Sequence, residues 1–247
     1  MSSSKTGIEW TDKTWNPTTG CDKVSPGCTH CYAEAITRRF PNHFPHGFTL
    51  QLHEDRLDQP RRWRKPSRIF VNSMSDLFHK DVPLEFLQQV FAVMGETPQH
   101  IYQILTKRDD ILLELAPFLP WHPNIWMGVS VENQAYVHRI DALRQVPAQV
   151  RFLSCEPLLG PLKLNLDQIH WLIVGGESGH GFRPMESAWV ESLQQQAESA
   201  NVAFFFKQWG GRHSKAQGAS LHGKFYKEMP KQTNFDNDVP KEREIAA

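Results

Sequence analysis

Six short apolar runs, at positions 68–73, 100–106, 125–131, 150–155, 171–175 and 202–207, constrain what this chain of 247 residues can fold into more than any other feature. Each is rich in β-branched and aromatic residues, the pattern of a strand buried on both faces. Between them lie stretches with helical spacing. Leu84, Leu87, Val90, Phe91 and Met94 come after Pro83 near a first turn, and Trp189, Val190, Leu193 and Ala197 come after Ser187 as candidate cap. Alternation of buried strands with helices implies a parallel sheet, because parallel neighbours need right-handed crossovers that lay helices on the sheet. The expected fold class is α/β: a partial or complete TIM-like (β/α) barrel with parallel strands, or alternatively an open doubly wound sheet.

The residues at the end of each run point to chemistry. These tips read Asn72-Ser73-Met74-Ser75-Asp76, Thr106-Lys107-Arg108, Ser130-Val131-Glu132-Asn133, Cys155-Glu156-Pro157, Gly175-Gly176-Glu177-Ser178 and Lys207-Gln208-Trp209-Gly210. In a parallel α/β architecture all six converge on the carboxyl ends of the strands, where sites form. A single polar tip is explained as a helix cap. Six that mix Lys, Arg, Glu, Ser and Gln favour a site.

Of the four cysteines, Cys21, Cys28 and Cys31 fall within eleven positions, on a loop punctuated by Pro17, Gly20, Pro26 and Gly27 with a helix expected to begin near Cys31. Four cysteines are too few for a disulfide-stapled secreted scaffold, and crowding favours a metal. Three thiolates can ligate three irons of a [4Fe–4S] cluster and leave the fourth iron open, whereas a structural zinc wants four ligands. Zinc, completed by His30 or Cys155, is the alternative. His30, His43 and His46 otherwise read as surface residues.

The 27 basic and 27 acidic residues cancel, which excludes a chain that is basic all over. The balance is uneven: residues 35–70 carry eight basic and three acidic side chains, an excess of +5 offset by −5 elsewhere. Within it, Arg61-Arg62-Trp63-Arg64-Lys65 could bind phosphates and stack a base, or form a solvated face with Trp63 tucked into the core. No run reaches the ~20 apolar residues of a membrane span, and the first five residues are not hydrophobic. The expectation is no membrane association and a cytoplasmic location. From about Arg212 the chain turns polar and Lys/Glu-rich. Residues 1–211 are therefore expected to form the barrel domain with its N-terminal cluster loop, and 212–247 a polar extension whose last part, 231–247, is peripheral or mobile.

These motifs together carry a resemblance. Trp10 through Glu34 with its Cys-x6-Cys-x2-Cys loop, Asn72 through Phe78, Leu105 through Arg108, Gly128 through Asn133, Ser154 through Gly160, Gly175 through Gly179 and Phe205 through Gly210 are similar to an uncharacterised radical S-adenosylmethionine-like family found in phages and bacteria, distantly similar to spore photoproduct lyase. The usual spacing in that superfamily is Cys-x3-Cys-x2-Cys, so the first gap here is longer. The Gly-Gly-Glu expected after the second strand is replaced by Ser73-Met74-Ser75-Asp76.

The resemblance implies a radical-SAM-like barrel with a [4Fe–4S] cluster on Cys21, Cys28 and Cys31, and S-adenosylmethionine as cofactor. It further implies Ser73, Ser75 or Asp76 near the cofactor's amino group, Lys107 or Arg108 toward its carboxylate, and Ser130, Glu132 or Asn133 at the ribose hydroxyls. Cys155 would donate a hydrogen atom to a product radical, or be a small buried residue. Glu156, Glu177, Arg183, Lys207, Gln208 and Trp209 would line the substrate side, with Trp209 able to stack on a ring. An electron donor such as a flavodoxin or ferredoxin is implied. A nucleotide or nucleic-acid base is the first substrate choice; a peptide or small metabolite, or a non-catalytic zinc- or cluster-bearing binding module, are the alternatives.

Overall fold

The structure, a computed structural model, describes residues 6–213 and 217–231. In chain order, β1 (Lys13–Trp15) and β2 (Thr18–Thr19) precede the cysteine loop and α1 (Tyr32–Arg39), and β3 (Gln51–Leu52) pairs antiparallel with β2. Then come β4 (Arg68–Val71), α2 (Leu84–Glu96), β5 (Ile101–Thr106), α3 (Asp109–Leu115), β6 (Ile125–Ser130), α4 (Arg139–Gln145) and β7 (Val150–Cys155). β8 (Trp171–Gly175), α5 (Ser187–Ser199) and β9 (Ala203–Gln208) come next, with a hairpin of β10 (Ser220–Leu221) and β11 (Lys224–Phe225).

Seven of these strands form one sheet in the order β1-β4-β5-β6-β7-β8-β9, and every neighbouring pair is parallel. The order never reverses, which excludes the doubly wound alternative, since that fold needs a switch point. Crossovers of one hand place the helices on one face and curl the sheet into a half-barrel. β1 and β9 do not pair with each other, so the barrel is partial.

Two cores arise from strand alternation. Ile69, Val71, Ile104, Met127, Leu153 and Val174 face the helices and pack with Leu87, Val90 and Leu193. On the concave face Phe70, Trp126, Phe152, Trp171 and Phe205 fill the barrel, and Trp10 plugs it with edge-on contacts to Phe70 and Trp171.

Three details differ from expectation. β1 was not foreseen: Lys13-Thr14-Trp15 is too short and polar to show as an apolar run, yet it pairs with Ile69–Val71 as the first barrel strand. No helix joins β7 to β8; Leu158, Leu162, Leu166 and Ile169 cover the sheet there from an irregular segment. The chain beyond residue 212 also returns to the barrel: Phe206 N–H donates to the Tyr226 carbonyl and the Trp171 indole to that of Glu228, masking the edge of β9. Of residues 231–247 only Lys231 is among those described. No helix among the described residues is long and apolar enough to cross a membrane.

Candidate functional site

The cysteine loop is pinned across the carboxyl ends of the strands, and the polar tips do the pinning. At the tip of β4, Asn72 has φ 61°, and its side-chain amide donates to Thr18 Oγ1 at 2.7 Å while its oxygen accepts from Thr18 N–H. Asn16 Oδ1 accepts from Met74 N–H and the Ser73 hydroxyl, and Ser75 Oγ donates to the Gly20 carbonyl at 2.6 Å. Gly20 is required here: its φ is 84°, and a Cβ would stand 2.2 Å from the Thr49 carbonyl oxygen. The Tyr32 hydroxyl, at the start of α1, donates to the Ser73 carbonyl.

Asp76 fastens this tip to β5. Its carboxylate accepts from Thr106 Oγ1 at 2.7 Å, Lys107 N–H at 3.1 Å and Phe78 N–H at 3.0 Å. Arg108, buried at 7% exposure, turns back beneath the loop so that Nη2 donates to Cys21 Sγ at 3.4 Å and to the Asp22 carbonyl at 3.2 Å. Burial, with Asp76 nearby, pushes the Cys21 thiol up to about 11, against the pull of Arg108.

Glu132 is the hub. It is fully buried at the tip of β6, with Lys107 Nζ at 2.7 Å and Ser25 Oγ at 2.5 Å on one oxygen and Arg139 Nη1 at 2.9 Å on the other. Burial opposes its charge, but Lys107, Ser25 and Arg139 outweigh that and hold the carboxyl below its usual range. Ser25 also lies 3.7 Å from Cys28 Sγ, so Glu132 reaches the loop through the residue beside a thiol. Gly27 lies directly on it: a Cβ there would stand 2.4 Å from Glu132 Oε1.

A second buried carboxylate holds the opposite side. Glu177, after β8, accepts from Arg183 N–H, Nε and Nη2 and lies 3.0 Å from His30 Nδ1, while Arg183 Nη2 also donates to the Pro26 carbonyl at 2.9 Å. Burial raises its pKa, but the Arg183 and His30 hydrogen bonds prevail and bring it to about 2, from an ordinary 4.5. Ionised Glu177 therefore contributes stability that is fully present above about pH 4.5 and is lost as pH falls through about 2. Wild type and Glu177→Gln are expected to differ at pH 7 by about 3 kcal/mol in denaturant unfolding and to converge by about pH 2. A gap that persists at acid pH would contradict this.

The remaining expected residues divide. Glu156 and Lys207 form a 2.5 Å ion pair at the rim, with side chains 22% and 19% exposed. Asn133 caps the short helix after it by accepting from Ala135 N–H, and Ser130 is buried, its carbonyl taken by Arg139. Cys155 has no solvent exposure and lies in the helix-side core, where burial pushes its thiol up. Trp209 is committed as well, its indole donating to the Ser220 carbonyl and its ring packed 4.9 Å from Phe206.

The +5 segment disperses. Arg61 pairs with Glu96 and Asp58, Arg68 pairs with Asp12, and Trp63 packs against the core with Lys13 over its ring. Arg39, Arg62, Arg64 and Lys65 stay exposed. Sequence reasoning missed Ser25, Asn16 and Arg139; the last, a basic residue 2% exposed beside Ile140, left a signal in the apolar spacing of α4.

Three thiolates have the donor chemistry for three irons of a cluster. Cys21, Cys28 and Cys31 are free and half-exposed. Among the described residues, the group whose ligand atoms gather within 4.8 Å is Asp22, His79 and Asp81, and the thiols do not so gather. In that trio His79 Nδ1 accepts from Asp81 N–H, leaving Nε2–H to donate to Asp22, the arrangement of a latch. A cavity of about 1150 Å³ opens at the other end of the strands, near Asn124, Val150 and Ala203, away from the cysteines.

The chain is similar to a cysteine-to-serine mutant of spore photoproduct lyase, at 14% identity and a TM-score of 0.48, over 72% of this chain and 59% of that one. It is similar to a double mutant of that lyase with bound AdoMet and dinucleoside spore photoproduct, at 14% identity and a TM-score of 0.43, over 66% of this chain and 55% of that one. The chain thus spans little more than half the length of these lyase chains. No curated protein matches. A family model described as "Protein of unknown function (DUF5131)" matches residues 5–230, and the chain belongs to that family.

Proposed function

We propose that this chain is an iron–sulfur enzyme of the radical S-adenosylmethionine kind, with a [4Fe–4S] cluster on Cys21, Cys28 and Cys31 and a nucleotide or nucleic-acid base as substrate. One observation carries the reading: a loop of three free thiols is fastened over the carboxyl end of a parallel half-barrel by two buried carboxylates, Glu132 and Glu177. When bound, the cluster and S-adenosylmethionine supply the electron and the carbon radical that remove hydrogen from a substrate.

The chain's own residues position and shield. Glu132 and Glu177 keep the loop seated, and the barrel aromatics exclude water from below. Asp76, Ser75 and Glu132 spend their hydrogen bonds on the protein, so they hold the loop. Lys107, 21% exposed on its side chain, and the Glu156–Lys207 pair are the charged groups that reach the rim and can meet the amino and carboxylate groups of a ligand. Electrons come from a reductant of the flavodoxin or ferredoxin type. Exposed Arg39, at the end of α1, suits an anionic substrate, whereas Arg62, Arg64 and Lys65 stand at the amino end of β4, away from the cysteine loop.

Reduction of the reconstituted protein with dithionite in the presence of S-adenosylmethionine should release 5′-deoxyadenosine, and Cys28→Ala should abolish it. A full cluster that yields no cleavage product would overturn catalysis and leave a binding module. Binding of a single-stranded oligonucleotide should weaken steeply with salt; no binding at low salt would exclude nucleic acid, though not a free nucleotide.

A further inference from the structure

We infer that Arg108 sets the reduction potential of the metal centre by donating a charged hydrogen bond to the Cys21 thiolate; this rests on the cluster reading proposed for the loop. The resemblance implies Lys107 or Arg108, at a strand tip, as partner of the cofactor's carboxylate. In the structure its Nη2 lies 3.4 Å from Cys21 Sγ. The guanidinium is buried and aimed: Asp76 Oδ2 stands 3.8 Å from Nε, and Nε has no hydrogen-bond partner. Its backbone N–H is held by Thr106 Oγ1 and its Nη2 also by the Asp22 carbonyl, so the side chain is fixed under one ligand.

Cys21 and Cys28 sit in unlike surroundings. Cys28 has the hydroxyl of Ser25 at 3.7 Å, a neutral group that is itself bonded to Glu132. Cys21, by contrast, accepts its hydrogen bond from a cation. A cation bonded to a ligand sulfur stabilises the added negative charge of the reduced cluster more than that of the oxidised one, because the site is partly buried and the charge is poorly screened. Hydrogen bonds to the sulfurs are among the levers that move such potentials. Arg108 is thus a positioning residue of electrostatic kind.

The test is an anaerobic redox titration of the reconstituted protein, monitored by visible absorption and by the paramagnetic signal of the reduced cluster. In Arg108→Gln the reduction equilibrium should move at least tenfold against the reduced state, about 59 mV for one electron, with iron content unchanged. Arg108→Lys should recover part of the shift. An unchanged potential in a fully loaded Arg108→Gln protein overturns the inference while leaving the cluster reading intact. Loss of iron from both variants overturns it too, since Arg108 would then be needed for loop structure. Failure of the wild-type protein to form a cluster at all is the separate result that removes the reading beneath it.

Discussion

Replacing Glu132 with alanine should destabilise the metal-free protein by about 3–5 kcal/mol, the range for removing one partner of a buried ionic network. The carboxylate is fully buried and balances two cations, and Arg139, its deeper partner, has a side chain only 3% exposed. Without it, Arg139 and Lys107 lose their counter-charge in a low-dielectric site, and the carboxylate under Gly27 is gone. Glu132→Gln should fall between, since an amide oxygen still accepts from Ser25 and no charge remains for Arg139. Equilibrium unfolding in urea measures both; a loss below about 1 kcal/mol for the alanine variant would mean that the network is solvated and the loop held otherwise.

Trp171→Ala should cost about 3–5 kcal/mol by emptying the centre of the half-barrel. The ring has no solvent exposure and meets Trp10, Trp126 and Phe205 edge-on at 6.0, 6.1 and 6.0 Å. Its indole also donates to the Glu228 carbonyl at 2.9 Å, so the returning C-terminal segment should loosen with it. Thermal unfolding reports the first effect, and proteolysis within residues 217–231 the second. A variant that keeps wild-type stability and an uncut C-terminal segment would show that the concave face is not a continuous core.

Both substitutions bear on how much of the molecule is legible in its sequence. Strands β4 to β9 are legible because each is buried on both faces and leaves an unbroken apolar run. β1 is not, since three residues of mixed polarity gain their place only through pairing with β4. The β7–β8 connection misleads for the opposite reason: Leu158, Leu162, Leu166 and Ile169 cover the sheet as a helix would, without helical backbone.

The polar strand tips are legible as a group, but their duties are not. Asp76, Ser75 and Glu132 have the composition of ligand-binding residues and serve here to hold the cysteine loop, because a side chain's partner is set by distances that no local pattern encodes. Arg139 and Ser25 complete that network from a helix and a loop far apart in sequence. Charge runs are the least informative feature: half of the basic residues of the +5 segment are paired with acids or carbonyls brought in by the fold, as Arg61 shows with Glu96.

The central claim is that the loop of Cys21, Cys28 and Cys31 holds an iron–sulfur cluster, and metal analysis of protein prepared and reconstituted without oxygen tests it most directly. Wild-type protein should contain about four irons and four sulfides per chain with broad visible absorption, and each Cys→Ala substitution in the triad should lower both together. A colourless protein carrying one zinc, with no iron taken up on reconstitution, would contradict it.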